Sequence, residues 1–155
     1  MLELGNKKND KGVYKTYFES LGIEHVSIDL NGRDGALKFD LTLPIYIEPF
    51  DMITNFGTSE HVHDQQALWQ NVHHLLKVNG ILVSVTPLPE NWWWHGEYYP
   101  EEMFFRNFLG YKMERIGIER KYPWKLLCVR MKKISHETFM FREDLIYRND
   151  GKSHD

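Results

Sequence analysis

Short apolar runs alternate with amphipathic stretches along most of the chain. The apolar runs predict strands over 1–4, 25–30, 36–40, 50–56 and 81–87. Apolar residues at helical spacing predict helices over 10–21, 64–78 and 100–110. Such alternation is typical of a parallel sheet whose strands are joined by helical crossovers.

The last part of the pattern differs, because two predicted strands follow each other directly. They span 113–120 and 125–133 and flank the turn Tyr122-Pro123-Trp124. We therefore predict an α/β fold with a doubly wound, Rossmann-like sheet of about seven strands, mostly parallel with an antiparallel C-terminal hairpin. Residues 1–134 form the predicted cofactor-binding domain. Residues 135–155 are predicted as a C-terminal amphipathic segment, with a short helix, and a polar tail.

The composition narrows the classes of function. The chain has 155 residues, which suits one domain, and its net charge of −3 gives no general attraction to nucleic acid or anionic membranes. No apolar run approaches the ~20 residues that a membrane-spanning helix needs. Cys128 is the only cysteine, which excludes an intrachain disulfide. We expect a cytoplasmic protein whose partners include neither nucleic acid nor a membrane.

The ends of the predicted strands carry the candidate binding residues, since ligands of doubly wound sheets bind beyond those ends. Gly5 follows the first strand and lets a ligand approach the backbone. Asp29 comes 24 positions later, a spacing at which a carboxylate accepts both hydroxyls of a ribose. Asp40 ends the third strand and can accept from the exocyclic amine of adenine. Together these residues indicate an adenosine-containing ligand.

The same segments resemble those of class I S-adenosylmethionine-dependent methyltransferases. The matching segments are LELG (2–5), SIDL (27–30), FDLTLP (39–44) and the run from FDMITNFG to LVSVTP (50–87). The resemblance covers about residues 1–133 and implies S-adenosylmethionine as the cofactor. It implies these contacts with the cofactor: Glu3 and Gly5 beside the methionine part, Asp29 at the ribose, Asp40 and Leu41 at the adenine, and Asn55 and Phe56 at the methyl end.

Two features of the sequence depart from that family. The family's first loop usually has further glycines, whereas Lys7 and Asn9 take those positions here, and Gly12 serves instead if the loop is longer. The family also usually has a helix before its first strand, and none precedes the strand at 1–4. We therefore expect either a minimal version of the fold or a fragment. Its cofactor site is then open, or covered by another chain such as a second copy in a homo-oligomer.

The aromatic segment NWWWHGEYY (91–99) follows the fifth predicted strand, where the family has substrate-binding segments. We predict that Trp92, Trp93 and Tyr98 form a substrate-side wall. His95 is the predicted general base, since the pKa of histidine suits proton removal near neutrality. The alternative is a packed aromatic cluster at a dimer contact, where tryptophan and tyrosine are enriched.

A run of histidines and acids, E-H-V-H-D, spans Glu60 to Asp64, and such side chains are possible ligands of zinc or iron. The run lacks the spacing of a recognised zinc motif, and the sequence shows no second cluster of ligands. We predict a structural turn here and no metal.

The predicted function is transfer of a methyl group from S-adenosylmethionine to a small-molecule acceptor. The alternative is a non-catalytic methyltransferase-like subunit or scaffold, which the altered glycine loop favours. A nicotinamide-dependent oxidoreductase also uses an acid at the ribose, but the G-x-G-x-x-G fingerprint is missing. A metal hydrolase built on His61, His63 and Asp64 is a further rival.

Overall fold

The computed structural model describes residues 1–6, 8–9, 12–88, 95–121 and 124–149. The described elements are, in chain order, β1 (Leu2–Leu4), β2 (Lys8–Asn9), β3 (Gly12–Val13), α1 (Tyr14–Ser20), β4 (Val26–Asp29), β5 (Leu37–Lys38), β6 (Phe50–Phe56), a 3₁₀ turn (Ser59–His61), α2 (Gln65–Leu75), β7 (Leu76–Pro87), β8 (Tyr98–Pro100), α3 (Glu102–Arg106), β9 (Tyr111–Lys121), β10 (Trp124–Lys133), a second 3₁₀ turn (Glu143–Leu145) and β11 (Ile146–Arg148). Seven of these strands form one sheet, and the other four form two small two-stranded sheets.

The seven-stranded sheet has the order β5-β4-β1-β6-β7-β10-β9. The five strands from β5 to β7 are parallel, and β10 pairs antiparallel with both β7 and β9. This arrangement confirms the predicted α/β class, the seven strands and the C-terminal hairpin. The direction in which successive strands are added reverses between β1 and β6, and doubly wound sheets bind ligands at such a switch point.

The hydrophobic core lies on one face of the sheet. Register places Leu2, Ile53, Leu82 and Met131 in one row across four strands, and all four are buried. Helices α2 and α3 cover this row with the buried side chains of Leu68, Trp69, Val72, Leu75, Phe104 and Phe105. The predicted apolar stripe of the second helix is therefore the core-facing side of α2.

The opposite face of the sheet is polar at its centre. Glu3 lies in register with Ser27 on one side and Thr54 on the other, and all three are buried. His25 lies just before β4, and its Nε2 is 2.9 Å from Oε2 of Glu3. The ring of Phe18, on α1, stacks on the ring of His25 with 5.4 Å between centroids. Glu3 is thus enclosed between the sheet and α1.

Helix α2 is shorter than the predicted 64–78, because charged and polar side chains fix both ends. Asp64 caps the first turn by accepting a hydrogen bond of 2.8 Å from the Ala67 amide. At the other end the ammonium of Lys133 donates to the carbonyls of His73 (2.6 Å) and Leu76 (3.0 Å). These are the carbonyls that a helix end leaves without intrahelical partners. The chain therefore turns into β7 at Leu76.

The amphipathic helix predicted after residue 134 is not formed by the described residues 135–149. This segment contains a 3₁₀ turn and β11, which pairs antiparallel with β8. The ring of Phe139 packs on that of Phe108 at 5.2 Å, and the ring of Phe141 packs on that of Phe104 at 6.1 Å. Phe139 and Phe141 are two residues apart, which is the period of an extended chain and not of a helix.

Two other predicted helices are also shorter than the sequence pattern indicates. The hairpin of β2 and β3 precedes α1, which therefore begins at Tyr14. Residues 98–100 belong to β8, so α3 spans only Glu102–Arg106. None of the described helices combines the length and the apolar content that a membrane crossing requires.

The core assignment predicts a large loss of stability for Trp69→Ala. Trp69 is 0% exposed and contacts the rings of Phe104, Phe105 and Phe108 at 5.4, 5.5 and 5.9 Å. We expect the free energy of unfolding in urea to fall by ~3–5 kcal/mol. The matched control is Tyr46→Ala, since Tyr46 is 90% exposed, and a change within ~0.5 kcal/mol is expected there. Equal losses in the two variants would contradict the assignment.

Candidate functional site

A cavity of about 450 Å³ opens at the carboxyl ends of β1, β4, β5 and β6. Its lining includes Gly5, Asn6, Asp29, Asp40, Leu41, Gly57, Thr58, His61 and His63. Two other concavities, of about 510 and 600 Å³, flank α2 away from the strand ends. The strand-end cavity is the candidate site, because it lies at the switch point and collects the polar side chains that the sequence singled out.

Gly5 follows β1, and the side chain of Thr58 lies directly against it. Its φ is +77°, a conformation that favours glycine. A Cβ at this position would collide with the Thr58 hydroxyl, which itself donates a 2.7 Å hydrogen bond to the carbonyl of Leu4. The Gly5 amide donates to the carbonyl of Ile28 at 2.8 Å. A glycine is therefore required here both by the backbone conformation and by the contact with Thr58.

Asp29 is half-buried at the end of β4 and lines the cavity. Its Oδ1 accepts from the Asn31 amide at 2.8 Å, and its Oδ2 accepts from the Asn6 amide at 3.2 Å. An ionised carboxylate has about four acceptor positions. Each oxygen of Asp29 therefore keeps capacity for a further donor from a ligand, while the two backbone bonds hold the carboxylate in place.

Asp40 is also on the cavity, and a hydrogen-bonded turn holds it charged. Its Oδ1 accepts from the Thr42 amide at 2.9 Å and from the Thr42 hydroxyl at 2.7 Å. These bonds lower the pKa of Asp40 below its ordinary value. The neighbouring Leu41 is buried, and its carbonyl accepts from the Asn71 side chain at 2.9 Å. The segment that the resemblance assigns to adenine is thus anchored to α2.

Three residues with predicted cofactor contacts do not line the cavity: Glu3, Asn55 and Phe56. Glu3 is enclosed behind β1 with His25, and burial raises its pKa to about 7. Phe56 is half-buried and lies in register with Val85. The structure brings Gly5, Asp29, Asp40 and Leu41 together and leaves these three behind the cavity wall.

Asn55 is fully buried, and its side chain organises the turn that follows β6. Its Nδ2 donates to the hydroxyls of Ser59 (2.8 Å) and Ser84 (2.9 Å). Its Oδ1 accepts from the amides of Ser59 (3.0 Å) and Thr58 (3.3 Å). Asn55 thereby positions Gly57 and Thr58 on the cavity, although it does not line the cavity itself.

His95 lies beside the 3₁₀ turn and not on the cavity wall. Its Nε2 is 3.4 Å from Oε1 of Glu60, whose side chain is 0% exposed. The ring of His61 meets the ring of His95 edge to face at 4.9 Å between centroids. Because His61 also lines the cavity, this cluster borders the cavity from one side.

The segment after His95 is fastened to the same turn. The amide of Glu97 donates to the carbonyl of Glu60 at 2.8 Å. The hydroxyl of Tyr99 is hydrogen-bonded to both the amide (3.0 Å) and the carbonyl (2.9 Å) of Gly96. A Cβ on Gly96 would lie 2.7 Å from the Glu60 side chain, so the two segments are in direct contact.

The predicted substrate-side residues are placed differently. Trp92 and Trp93 lie outside the described residues. Tyr98 lines a separate cavity of about 310 Å³, and the guanidinium of Arg148 lies 5.6 Å from the centre of its ring. His63 borders both cavities, which makes it the described residue that connects them.

Sequence reasoning missed the roles of Thr58 and Glu60. Thr58 follows Gly57 in the segment NFGTSEH, and nothing in the pattern shows that its hydroxyl reaches β1. Glu60 lies 35 positions before His95, so only the fold reveals that they meet. Asp64, which the run E-H-V-H-D suggested as a metal ligand, instead caps α2.

Comparison with known proteins shows similarity to solved structures only. No protein-family profile matches the sequence, and no curated protein matches it. N-methyltransferase NodS from Bradyrhizobium japonicum WM9 is 14% identical with a TM-score of 0.65, over 86% of this chain and 85% of NodS. 1,6-Didemethyltoxoflavin-N1-methyltransferase from Burkholderia thailandensis, solved with S-adenosylhomocysteine, is 14% identical with a TM-score of 0.62, over 86% of this chain and 70% of that enzyme.

A third similar structure is the O-methyltransferase of a trans-AT PKS multienzyme from Brevibacillus brevis, in complex with S-adenosyl-L-homocysteine. It is 12% identical with a TM-score of 0.56, over 88% of this chain and 67% of that one. Identities this low show the fold. The chain has the fold of class I methyltransferases, as its sequence resemblance implied.

The enclosure of Glu3 predicts a pH-dependent effect of Glu3→Gln. Burial raises the pKa of Glu3 from 4.5 to about 7 in the folded protein. The contribution of Glu3 to the free energy of unfolding is therefore fully present below about pH 4.5, and it is lost as the pH rises through about 7. Glutamine keeps the shape without the charge. We expect the melting temperature of the variant, relative to the unsubstituted protein, to be higher at about pH 8 than at about pH 5.

The control for this measurement is Glu48→Gln, because Glu48 is exposed and its carboxylate stays in water. The change in melting temperature that Glu48→Gln causes should be nearly the same at the two pH values. If the difference in melting temperature caused by Glu3→Gln were the same at both pH values, the raised pKa assigned to Glu3 would be wrong.

Proposed function

We propose that the protein transfers the methyl group of S-adenosylmethionine to a small-molecule acceptor. The observation that carries this proposal is the meeting of Gly5, Asp29 and Asp40 in one cavity at the switch point of a class I methyltransferase fold. The cavity's volume of about 450 Å³ lies within the range of ordinary small-molecule sites.

The residues on the cavity fit the parts of the cofactor. The acceptor capacity left on Asp29 suits the two hydroxyls of a ribose. Asp40 is held charged by Thr42 and would accept from the amine of adenine, with Leu41 beside it. Gly5 and the adjoining Asn6 offer a close approach to the backbone for the methionine part.

When bound, the cofactor supplies a methyl group on a sulfonium, which is already electrophilic. The chain's own contribution is therefore to hold the acceptor in line with that methyl group, and positioning alone can supply much of the acceleration. A hydroxyl acceptor must also lose a proton. His95, next to the carboxylate of Glu60 at 3.4 Å, is the proposed proton acceptor for that step.

A non-catalytic methyltransferase-like subunit is the second candidate. The observation that favours it is the hairpin of β2 and β3 after Gly5, where the family has a short glycine-rich turn. A subunit of this kind needs no cofactor, so measurement of cofactor binding separates the two functions.

We expect Asp29→Ala to weaken the binding of S-adenosylhomocysteine at least ~10-fold in a calorimetric titration, because hydrogen bonds to a charged acceptor contribute ~1.5–3 kcal/mol. S-adenosylhomocysteine is the appropriate probe, since it contains the whole nucleoside and is not consumed. The matched control is Asp51→Ala, because Asp51 is exposed at the start of β6, away from the cavity. Its affinity should equal that of the unsubstituted protein.

Two results would contradict the proposal. If the unsubstituted protein did not bind S-adenosylhomocysteine at millimolar concentration, the subunit candidate would stand. If it bound but Asp29→Ala bound equally tightly, the assignment of Asp29 to the ribose would be wrong.

His95→Ala should separate binding from turnover. Because His95 does not line the cavity, we expect the affinity for S-adenosylhomocysteine to change less than ~2-fold. Formation of S-adenosylhomocysteine with a panel of small hydroxyl acceptors should slow by ~10²-fold or more, the usual size of a general-base effect. A variant as fast as the unsubstituted protein would remove His95 from the reaction.

A further inference from the structure

We propose that Glu60, His61 and His95 form a binding site for a divalent transition-metal cation, with Zn²⁺ as the representative ion. Each side chain offers one ligand atom, and the three atoms lie within 4.8 Å of one another. The cluster combines two residues of the 3₁₀ turn with one residue that the fold brings from 35 positions further along the chain.

The distances suit a cation after a small adjustment. Zinc binds imidazole nitrogen and carboxylate oxygen at ~2.0–2.2 Å, so neighbouring ligand atoms of a tetrahedral site are ~3.4 Å apart. The Nε2 of His95 and Oε1 of Glu60 already have this separation, at 3.4 Å. His61 is exposed, and rotation of its side chain can close the remaining gap.

The surroundings hold Glu60 and His95, the two more buried ligands, in place. Glu60 is 0% exposed, and its carbonyl accepts from the Glu97 amide, which fixes the position of His95 relative to it. A Cβ on Gly57 would lie 3.3 Å from Oε1 of Glu60, and one on Gly96 would lie 2.7 Å from the Glu60 side chain. Glycines at these two positions therefore leave the room that the Glu60 side chain needs.

The ligand set defines the class of cation. Two imidazoles and one carboxylate bind Zn²⁺ in catalytic sites and Fe²⁺ in non-haem iron sites, whereas Ca²⁺ and Mg²⁺ prefer oxygen ligands throughout. Three protein ligands leave at least one coordination position open. Because His61 also lines the strand-end cavity, the cation lies at the edge of that cavity.

A bound cation would change how a hydroxyl acceptor loses its proton in the proposed methyl transfer, but the site itself does not depend on that function. With a cation bound, the ligating nitrogen of His95 has no lone pair for a proton, so His95 is then no general base. A hydroxyl that occupies the open position instead becomes more acidic through the charge of the cation. Cation binding itself needs neither the cofactor nor the acceptor.

The experiment is a calorimetric titration of the chelator-treated, dialysed protein with Zn²⁺, in the absence of cofactor. Titration with Co²⁺, followed by its visible absorption, reports whether nitrogen and oxygen ligands surround the ion. We expect one equivalent to bind, and His61→Ala and His95→Ala each to weaken the affinity for Zn²⁺ at least ~10-fold. Glu60→Gln should also weaken the affinity for Zn²⁺ at least ~10-fold, provided that circular dichroism shows the variant to be folded. If Glu60→Gln does not fold, the two histidine variants alone decide whether the site exists.

The matched control is His63→Ala, because His63 is an exposed histidine two positions from His61 but outside the cluster. Its affinity for Zn²⁺ should stay within ~2-fold of that of the unsubstituted protein. The proposal is overturned if the unsubstituted protein binds no Zn²⁺, or if His61→Ala and His95→Ala bind it as tightly as His63→Ala. A protein that binds S-adenosylhomocysteine but no Zn²⁺ would overturn this site alone, and one that binds Zn²⁺ but no S-adenosylhomocysteine would overturn the proposed function alone.

Discussion

The hydrogen bonds of one buried amide, that of Asn55, hold the candidate site together. Asn55 is the second-last residue of β6. Its side chain hydrogen-bonds to Ser84 of β7 and to Ser59 and Thr58 of the turn that follows β6, and it thereby connects the turn to β7. A buried amide is costly unless its donors and acceptor are satisfied, so the turn has to adopt the conformation that satisfies them. The conformation of the turn that follows β6 depends on this requirement.

That turn serves two regions at once. On one side, the hydroxyl of Thr58 reaches the carbonyl of Leu4 and closes the backbone against Gly5, where the methionine part of the proposed cofactor would lie. On the other side, Glu60 and His61 meet His95. The strand-end cavity and the cluster proposed for protons or a cation therefore share one segment, and a displacement of the segment would affect both.

The sequence was sufficient to predict the sheet and the meeting of Gly5, Asp29 and Asp40 at one edge of it. Gly5, Asp29 and Asp40 each follow a short apolar run, and parallel strands bring their carboxyl ends to the same edge, so their meeting needs no knowledge of side-chain packing. The cofactor contact of Asn55 stays a prediction. Strand periodicity gives the face on which Asn55 lies, but it does not show that the hydroxyls of Ser59 and Ser84 accept hydrogen bonds from its side chain. The pairing of Glu60 with His95 and the extended course of Phe139 and Phe141 depend on contacts between distant segments, which local patterns do not contain.

The ammonium of Lys133 has a consequence for the order in which the domain is completed. It lies at the last position of β10, and it satisfies carbonyls at the end of α2, nearly 60 residues earlier in the chain. Until the C-terminal hairpin has docked beside β7, those carbonyls lack these donors and have to bond water instead. Completion of the last turn of α2 is therefore coupled to docking of β10 beside β7.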